Sequence, residues 1–286
     1  MIKRSRYWLC SAVRRYFCRA SLCCPSCGGA ASEVLDRKWI VLTLARCSDC
    51  HLLFRQPTTP PQRSREFYQE NYAQGYTTDM PGDAALRDLL ACSFAGTERD
   101  YSRFIAIFDA LGVARGASVL EFGCSWGYGA WQFAQAGFRV QAFEVSRPRC
   151  RYAREKLGVD ACDSLKRVEG KFDLVFSSHV LEHVDVLATN LDLLEGWVRP
   201  GGLMVHVTPN GSNAYRQVAP RNWHLLWGEV HPQLLDENFC LHRYQGRPAL
   251  IGSTPSDPSV LRHWDRENTQ LLELSGAELL FAVAVQ

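Results

Sequence analysis

The rhythm of apolar and polar positions changes several times along the chain, and each change marks an element. Short apolar runs at Ser118–Phe122, Arg139–Phe143, Phe172–Ser177 and Leu203–Val207 read as strands. Helical spacing predicts helices over Tyr128–Ala136, Arg147–Leu157 and Val180–Val198, and a further short strand fits Val159–Ala161. This alternation implies an α/β fold with a mostly parallel, Rossmann-like sheet and right-handed crossovers. Leu86, Leu89, Leu90, Phe104, Ile107, Phe108 and Leu111 predict a helical stretch over residues 84–112 that stops at Gly112. At the far end, Leu271–Leu274, a turn at Ser275–Gly276 and Leu279–Val285 predict a closing antiparallel strand pair. Residues 212–268 hold many Trp, His, Pro and Arg residues and show little period.

Before the helical stretch, residues 21–56 form a Cys-, Gly- and Ser-rich segment around Trp39–Leu44, read as a small β-hairpin module. Pro57 to Gln62 is a stiff boundary that continues neither a helix nor a central strand. Phe67, Tyr68, Tyr72 and Tyr76 suggest a connecting helix and loop over residues 63–80, lying over a pocket. The expected division is therefore a basic tail at 1–20, the module at 21–56, a linker and helical cap at 57–112, and the sheet domain at 113–286.

Composition narrows the class. With 286 residues, 47% hydrophobic and 22% charged, the chain suits one soluble domain plus an appendage. A net charge of +2 produces no large field that would point to nucleic acid or membrane. No apolar run approaches the ~20 residues of a bilayer span. Lys3, Arg4, Arg6, Arg14, Arg15 and Arg19 stand among aromatic residues with no acid, and Arg14 and Arg15 interrupt any signal-peptide core. A frayed tail is expected there, with weak contact of a basic amphipathic helix to a membrane surface or partner as the alternative. Twelve cysteines are many, but two close doublets and otherwise scattered positions fit reduced thiols in a cytoplasmic protein.

The doublets are Cys24-Pro-Ser-Cys27 and Cys47-Ser-Asp-Cys50. Each sets two thiolates on one side of a tight turn, and two such turns brought together make the closed tetrahedral S₄ site that zinc prefers. A module of this size has too small a core to stand alone, so a structural Zn²⁺ would supply the missing stability.

The segment Val119-Leu-Glu-Phe-Gly-Cys-Ser-Trp-Gly-Tyr-Gly129 runs from a strand through a small-residue loop into a helix. Gly123 and Gly127 let the backbone turn and approach a ligand, and the helix start offers free N–H groups. Glu144 closes the next strand, where nucleotide-binding sheets place the acid that accepts ribose hydroxyls. Phe172-Asp-Leu-Val-Phe-Ser-Ser-His-Val-Leu-Glu-His-Val184 and Arg199-Pro-Gly-Gly202 follow in order.

Over residues 117–210 the chain resembles class I S-adenosylmethionine-dependent methyltransferases that carry a VLEHV helix and an RPGG turn. The resemblance implies that Glu121, Phe122, Gly123, Cys124, Ser125 and Gly127 wrap the methionine part of S-adenosyl-L-methionine. It implies that Glu144 and Val145 hold its ribose, that Asp163 meets its adenine, and that Ser178 and His179 line it. Ser125 stands where the family usually has glycine. His183 is then a packing or helix-end residue. The four-cysteine segment with Cys47-Ser-Asp-Cys-His-Leu-Leu-Phe-Arg-Gln-Pro57 resembles the zinc-binding domain that precedes some bacterial sugar and natural-product methyltransferases. The sugar C-methylating relatives normally carry a further domain after the sheet, so O-methylation is the expected reaction.

The resemblance places substrate-binding elements after the fifth strand, which makes residues 212–268 the expected insertion. Asn222 to Pro232 gathers His224, Glu229 and His231 between tryptophans, and His231 or Glu229 is the expected catalytic base. The expected acceptor is a small molecule or saccharide. An RNA methyltransferase that grips nucleic acid through its zinc module is an alternative, disfavoured by the weak charge. A non-catalytic assembly protein that binds the cofactor is another.

Overall fold

A computed structural model of the chain describes residues 2–18, 22–58 and 79–286. The expected connecting helix and loop, and most of the proline boundary, lie outside these residues. No described helix is long and apolar enough to cross a membrane.

The main sheet is built from β4 (Ser118–Phe122), β5 (Arg139–Phe143), β6 (Ala161–Cys162), β7 (Phe172–Ser178), β8 (Val198–Pro209), β10 (Ala249–Ser253), β11 (Gln270–Leu271) and β12 (Glu278–Ala284). Their spatial order is β11-β10-β12-β8-β7-β4-β5-β6. The strands from β8 through β6 run parallel, and β12 lies antiparallel between β8 and β10. The chain starts at β4, builds outward to β6, then returns to β7 on the other side of β4. That reversal opens a crevice beyond the carboxyl ends of β4 and β7, the ligand position of open α/β sheets.

Period-2 alternation fills both faces. Val119, Leu174, Phe176, Val205 and Leu280 face one core with Phe104, Phe108 and Phe133. Leu120, Val175, Met204 and Phe281 face the other with Leu187, Leu191 and Phe239. Helices α4 (Tyr128–Gln135) and α5 (Arg147–Leu157) form as expected, the latter ending at Gly158 with φ of 66°.

Four expectations are corrected. The stretch 84–112 is two helices, α2 (Asp83–Ala91) and α3 (Ser102–Ala110), because Ser93 and Phe94 adopt positive φ between them. The stretch 180–198 is a 3₁₀ turn at Leu181–His183 and a helix α6 (Leu187–Trp197), so His183 sits on a turn. The terminal strand pair is not a hairpin: β12 pairs with β8 and β10, while β11 runs parallel to β10. Residues 249–253 of the expected insertion are thus a core strand. The N-terminal tail forms a helix, α1 (Ile2–Phe17), because Tyr7 and Trp8 find an apolar partner in the cluster of Leu42, Leu44, Leu53, Trp223 and Trp227.

The module's strands β1 (Ser32–Lys38), β2 (Leu42–Cys47) and β3 (Leu53–Gln56) are antiparallel. A fourth strand, β9 (Gln233–Leu234), comes from the insertion and pairs with β3. Ala45, Cys47 and Phe54 on one face of this small sheet join the main core, while Leu42, Leu44 and Leu53 pack under α1. The insertion also forms three short helices, α7 (Asn213–Val218), α8 (Pro220–Leu226) and α9 (Glu237–Arg243).

Candidate active site

The loop after β4 is held at two points. Gly123 and Cys124 N–H both donate to the Phe143 carbonyl, at 2.8 and 3.0 Å, which ties the loop to the end of β5. Gly123 has φ of 87°, and a Cβ there would lie 2.3 Å from the Val180 side chain. Gly127 has φ of 91° and is the N-cap of α4. Phe122 and Cys124 turn their side chains into the core, Phe122 stacking on Phe143, so only their backbone reaches the loop surface.

Glu144, at the end of β5, accepts N–H bonds from Ser125 at 2.9 Å and Ser146 at 2.8 Å. Ser125 takes φ of 54°, a region that favours glycine, and its hydroxyl accepts from the buried Arg149 guanidinium at 2.7 Å. Arg149 therefore fastens the family's departure at Ser125 to α5. It escaped the sequence reading because an arginine early in a helix resembles a solvated one.

Glu121 points back toward α4 and takes the Ala130 N–H at the helix start, a favourable place for a carboxylate. A Cβ on Gly129 would lie 2.3 Å from Glu121 Oε1 and 2.2 Å from the Tyr101 ring, so glycine there lets acid and helix meet. Glu121 Oε2 is buried without a hydrogen-bond partner. Burial pushes Glu121 up to about 8 and Glu144 up to about 7. Glu121 Oε2 lacks a donor that a ligand ammonium can supply, and each Glu144 oxygen, accepting one N–H bond, keeps a lone pair that a ligand's vicinal hydroxyls can use. On that donor set, beside a loop turned by two positive-φ glycines, Gly123 and Gly127, the residues fit S-adenosylmethionine.

Beyond β5, Val145 is at the surface. Asp163 follows β6 and is partly exposed, 3.8 Å from Arg147 and 4.0 Å from Arg167. At the end of β7, Ser178 and His179 line a cavity of about 570 Å³ with Tyr101, Arg103, Tyr128 and Glu278. His179 Nε2 is 2.9 Å from Glu278 Oε1, and Arg103 donates to both Glu278 oxygens at 2.5 and 2.8 Å. Burial works against charge at both residues. The carboxylates of Glu182 and Glu278 nonetheless raise His179 to about 9, and His179 and Arg103 hold Glu278 at about 2. Tyr101, Arg103 and Glu278 were not singled out in the sequence, since they stand on a helix and a strand far from any motif.

The two expected bases part company. Glu229 is exposed, with Arg55 and Tyr7 among its electrostatic neighbours. His231 is partly buried, its ring 4.7 Å from that of His183. His224 instead meets Asp36 of the module at 2.6 Å.

In the module, Cys24, Cys27, Cys47 and Cys50 come together with all four Sγ atoms within 4.8 Å of one another. Cys24 and Cys50 are 3.6 Å apart, and Cys27 and Cys47 3.5 Å. A ZnS₄ tetrahedron with ~2.3 Å bonds has edges of about 3.8 Å, so the cluster is compatible with a zinc-binding module. Gly28 N–H to Cys24 carbonyl and His51 N–H to Cys47 carbonyl close the two knuckle turns.

Residues 96–243 match the family described as methyltransferase domain. The tuberculostearic acid methyltransferase of Mycobacterium tuberculosis is 31% identical over 184 residues, which cover 51% of this chain and 42% of that protein. The malonyl-[acyl-carrier protein] O-methyltransferase of Pseudescherichia vulneris is 33% identical over 103 residues, covering 34% and 41%. The chain thus spans less than half the length of these curated relatives. Among solved structures, magnesium protoporphyrin IX methyltransferase from Synechocystis with bound S-adenosylhomocysteine gives a TM-score of 0.52 at 13% identity, covering 79% of this chain and 100% of that one. At that identity the likeness is one of fold. With more than half of its length inside the family match, the chain belongs to the methyltransferase domain family.

Proposed function

We propose that the protein transfers the methyl group of S-adenosylmethionine to a hydroxyl of a small-molecule or saccharide acceptor. The observation that carries this reading is the 570 Å³ cavity beside the cofactor loop, walled by tyrosines and by the His179–Glu278–Arg103 chain. Such a volume suits a compact polar acceptor. One relative whose name specifies O-methylation agrees with it.

In this reading Glu144 takes the ribose hydroxyls and Val145 flanks them. Glu121 Oε2 takes the ammonium of the methionine part, and the backbone of residues 122–125 and Gly127 encloses it. Asp163 meets the adenine amino group, and Ser178 and His179 close the pocket on the acceptor side. The cofactor brings an activated methyl, so these residues align the partners and exclude water. Of the two expected bases, His231 lies among the charges of His179 and Glu182 behind the cavity wall, whereas Glu229 is exposed with Arg55 and Tyr7 among its electrostatic neighbours. The four cysteines hold a structural zinc ion.

The test has two readouts. Calorimetry should show S-adenosylhomocysteine binding, weakened about 10- to 100-fold by Glu144→Gln, the range expected for bonds to a charged acceptor. Purified protein given the cofactor should release S-adenosylhomocysteine with hydroxylated small-molecule or saccharide fractions of a cell extract. Turnover with an RNA fraction alone would overturn the acceptor class. A folded protein that gives no heat with S-adenosylhomocysteine would overturn the cofactor assignment.

A further inference from the structure

We infer that Glu182, His183 and His231 form a second metal site, distinct from the four cysteines, for one divalent first-row cation of the zinc class. The three residues come from two segments, the 3₁₀ turn after β7 and the loop between α8 and β9. One imidazole nitrogen from each histidine and a carboxylate oxygen from Glu182 all lie within 4.8 Å of one another.

Orientation is the first argument. His183 Nδ1 lies 2.9 Å from the Val230 carbonyl, and His231 Nδ1 lies 2.6 Å from the Leu226 carbonyl. A carbonyl only accepts, so each Nδ1 carries a proton, which leaves Nε2 as the nitrogen that can bind a cation. Backbone carbonyls that fix the tautomer in this way are the usual outer partners of metal-binding histidines.

The second argument is independent. Glu182 is fully buried, and neither carboxylate oxygen has a hydrogen-bond partner. Its described neighbours are His179 Nδ1 at 3.5 Å and His183 Nε2 at 3.7 Å. A fully buried carboxylate whose nearest cation, His179, stands at 3.5 Å without a well-formed hydrogen bond is under-compensated, and a coordinated cation adds compensation. His183 Nε2 to Glu182 Oε1, at 3.7 Å, is close to the ~3.4 Å edge of a tetrahedron with ~2.1 Å bonds.

The donor set fixes the class. Two imidazoles and one carboxylate suit zinc and its first-row neighbours, whereas magnesium and calcium prefer all-oxygen shells. Three protein ligands leave a coordination position open, the pattern of catalytic centres. His179 touches Glu182 and also lines the cavity, so the cation's charge stands one side chain behind the cavity wall. This rests on the proposed hydroxyl acceptor, whose oxygen such a charge would help to ionise.

Metal content tests the site without cofactor or acceptor, so a failure of the methyl-transfer reading leaves the result intact. Wild type, Glu182→Gln and His231→Ala are produced with zinc supplementation, gel-filtered, and measured for zinc per chain, with circular dichroism checking the fold. Wild type should hold one more zinc per chain than either variant, because the four cysteines are unchanged in all three. Cobalt should likewise give the wild type an additional spectral component without thiolate charge transfer. Should one variant not fold, His183→Gln takes its place. Equal metal content in wild type and folded variants overturns the proposal.

Discussion

Glu121 and Glu144 show how far single residues could be read. Their positions beside a glycine loop mark them in the sequence, because the chemistry is local: strand, bend, helix start. Their environment is not local. Tyr101 covers Glu121 from α3, and Arg149 anchors Ser125 from α5. Burial raises the two carboxyls from the ordinary 4.5 to about 8 and about 7. The ligand-free fold therefore binds more protons than the unfolded chain between about pH 4.5 and 8. Their contribution is fully present below the unfolded value and is lost as pH rises through 7 to 8. The thermal midpoint of ligand-free protein should fall between pH 6 and pH 8.5, and Glu121→Gln should flatten that slope. Donors from the ligand favour the ionised carboxylates, so S-adenosylhomocysteine should bind with proton release near pH 7. Calorimetry in buffers of different ionisation enthalpy measures that release, and no buffer dependence would contradict it.

Elements with strict alternation or strong caps were legible. The strands Ser118–Phe122 and Arg139–Phe143 and the helix Arg147–Leu157 match their expected spans. Misreadings arose where apolar spacing continued through a break. Phe94 interrupts the stretch 84–112 with φ of 63°, a strained conformation for a bulky residue. It persists because the ring is fully buried against Trp126, Tyr128 and Trp131. Helical period alone could not reveal an anchor whose partners lie more than thirty residues away. The terminal strand and its antiparallel sense match the expectation, but its pairing does not, for a related reason: β12 finds its partners in β8 and β10 rather than next to itself. Phe94→Ala should cost about 3 kcal/mol or more, in the range for emptying a packed aromatic site. Denaturant unfolding measures it, and a loss below 1 kcal/mol would mean that Phe94 does not hold α2 and α3 against the loop.

On the scale of the molecule, the four-cysteine module and the catalytic sheet read in the sequence as neighbours in a line, yet they share a core. The β3–β9 pairing makes the insertion a strand of the module's sheet. Arg46 of the module meets Asp236 at 2.8 Å, and Asp236 caps α9 by accepting the Phe239 N–H at 2.9 Å. The buried Arg55 donates to the Gly228 carbonyl at 2.8 Å. The β3–β9, Arg46–Asp236 and Arg55–Gly228 contacts leave no periodic trace, because each joins residues more than 170 positions apart. Their consequence is that the proposed structural zinc supports the insertion from outside the cavity. The double variant Cys47→Ser with Cys50→Ser removes that support and leaves Glu182, His183 and His231 intact. Limited proteolysis should then cut residues 212–235 faster than in wild type, since local opening follows the loss of buried contacts. The loop after β4 rests on β5 and α5 instead, so S-adenosylhomocysteine affinity should persist. An unchanged cleavage pattern would show that the module and the insertion are energetically separate. A joint loss of cofactor binding would show that the module holds the whole sheet rather than the insertion alone.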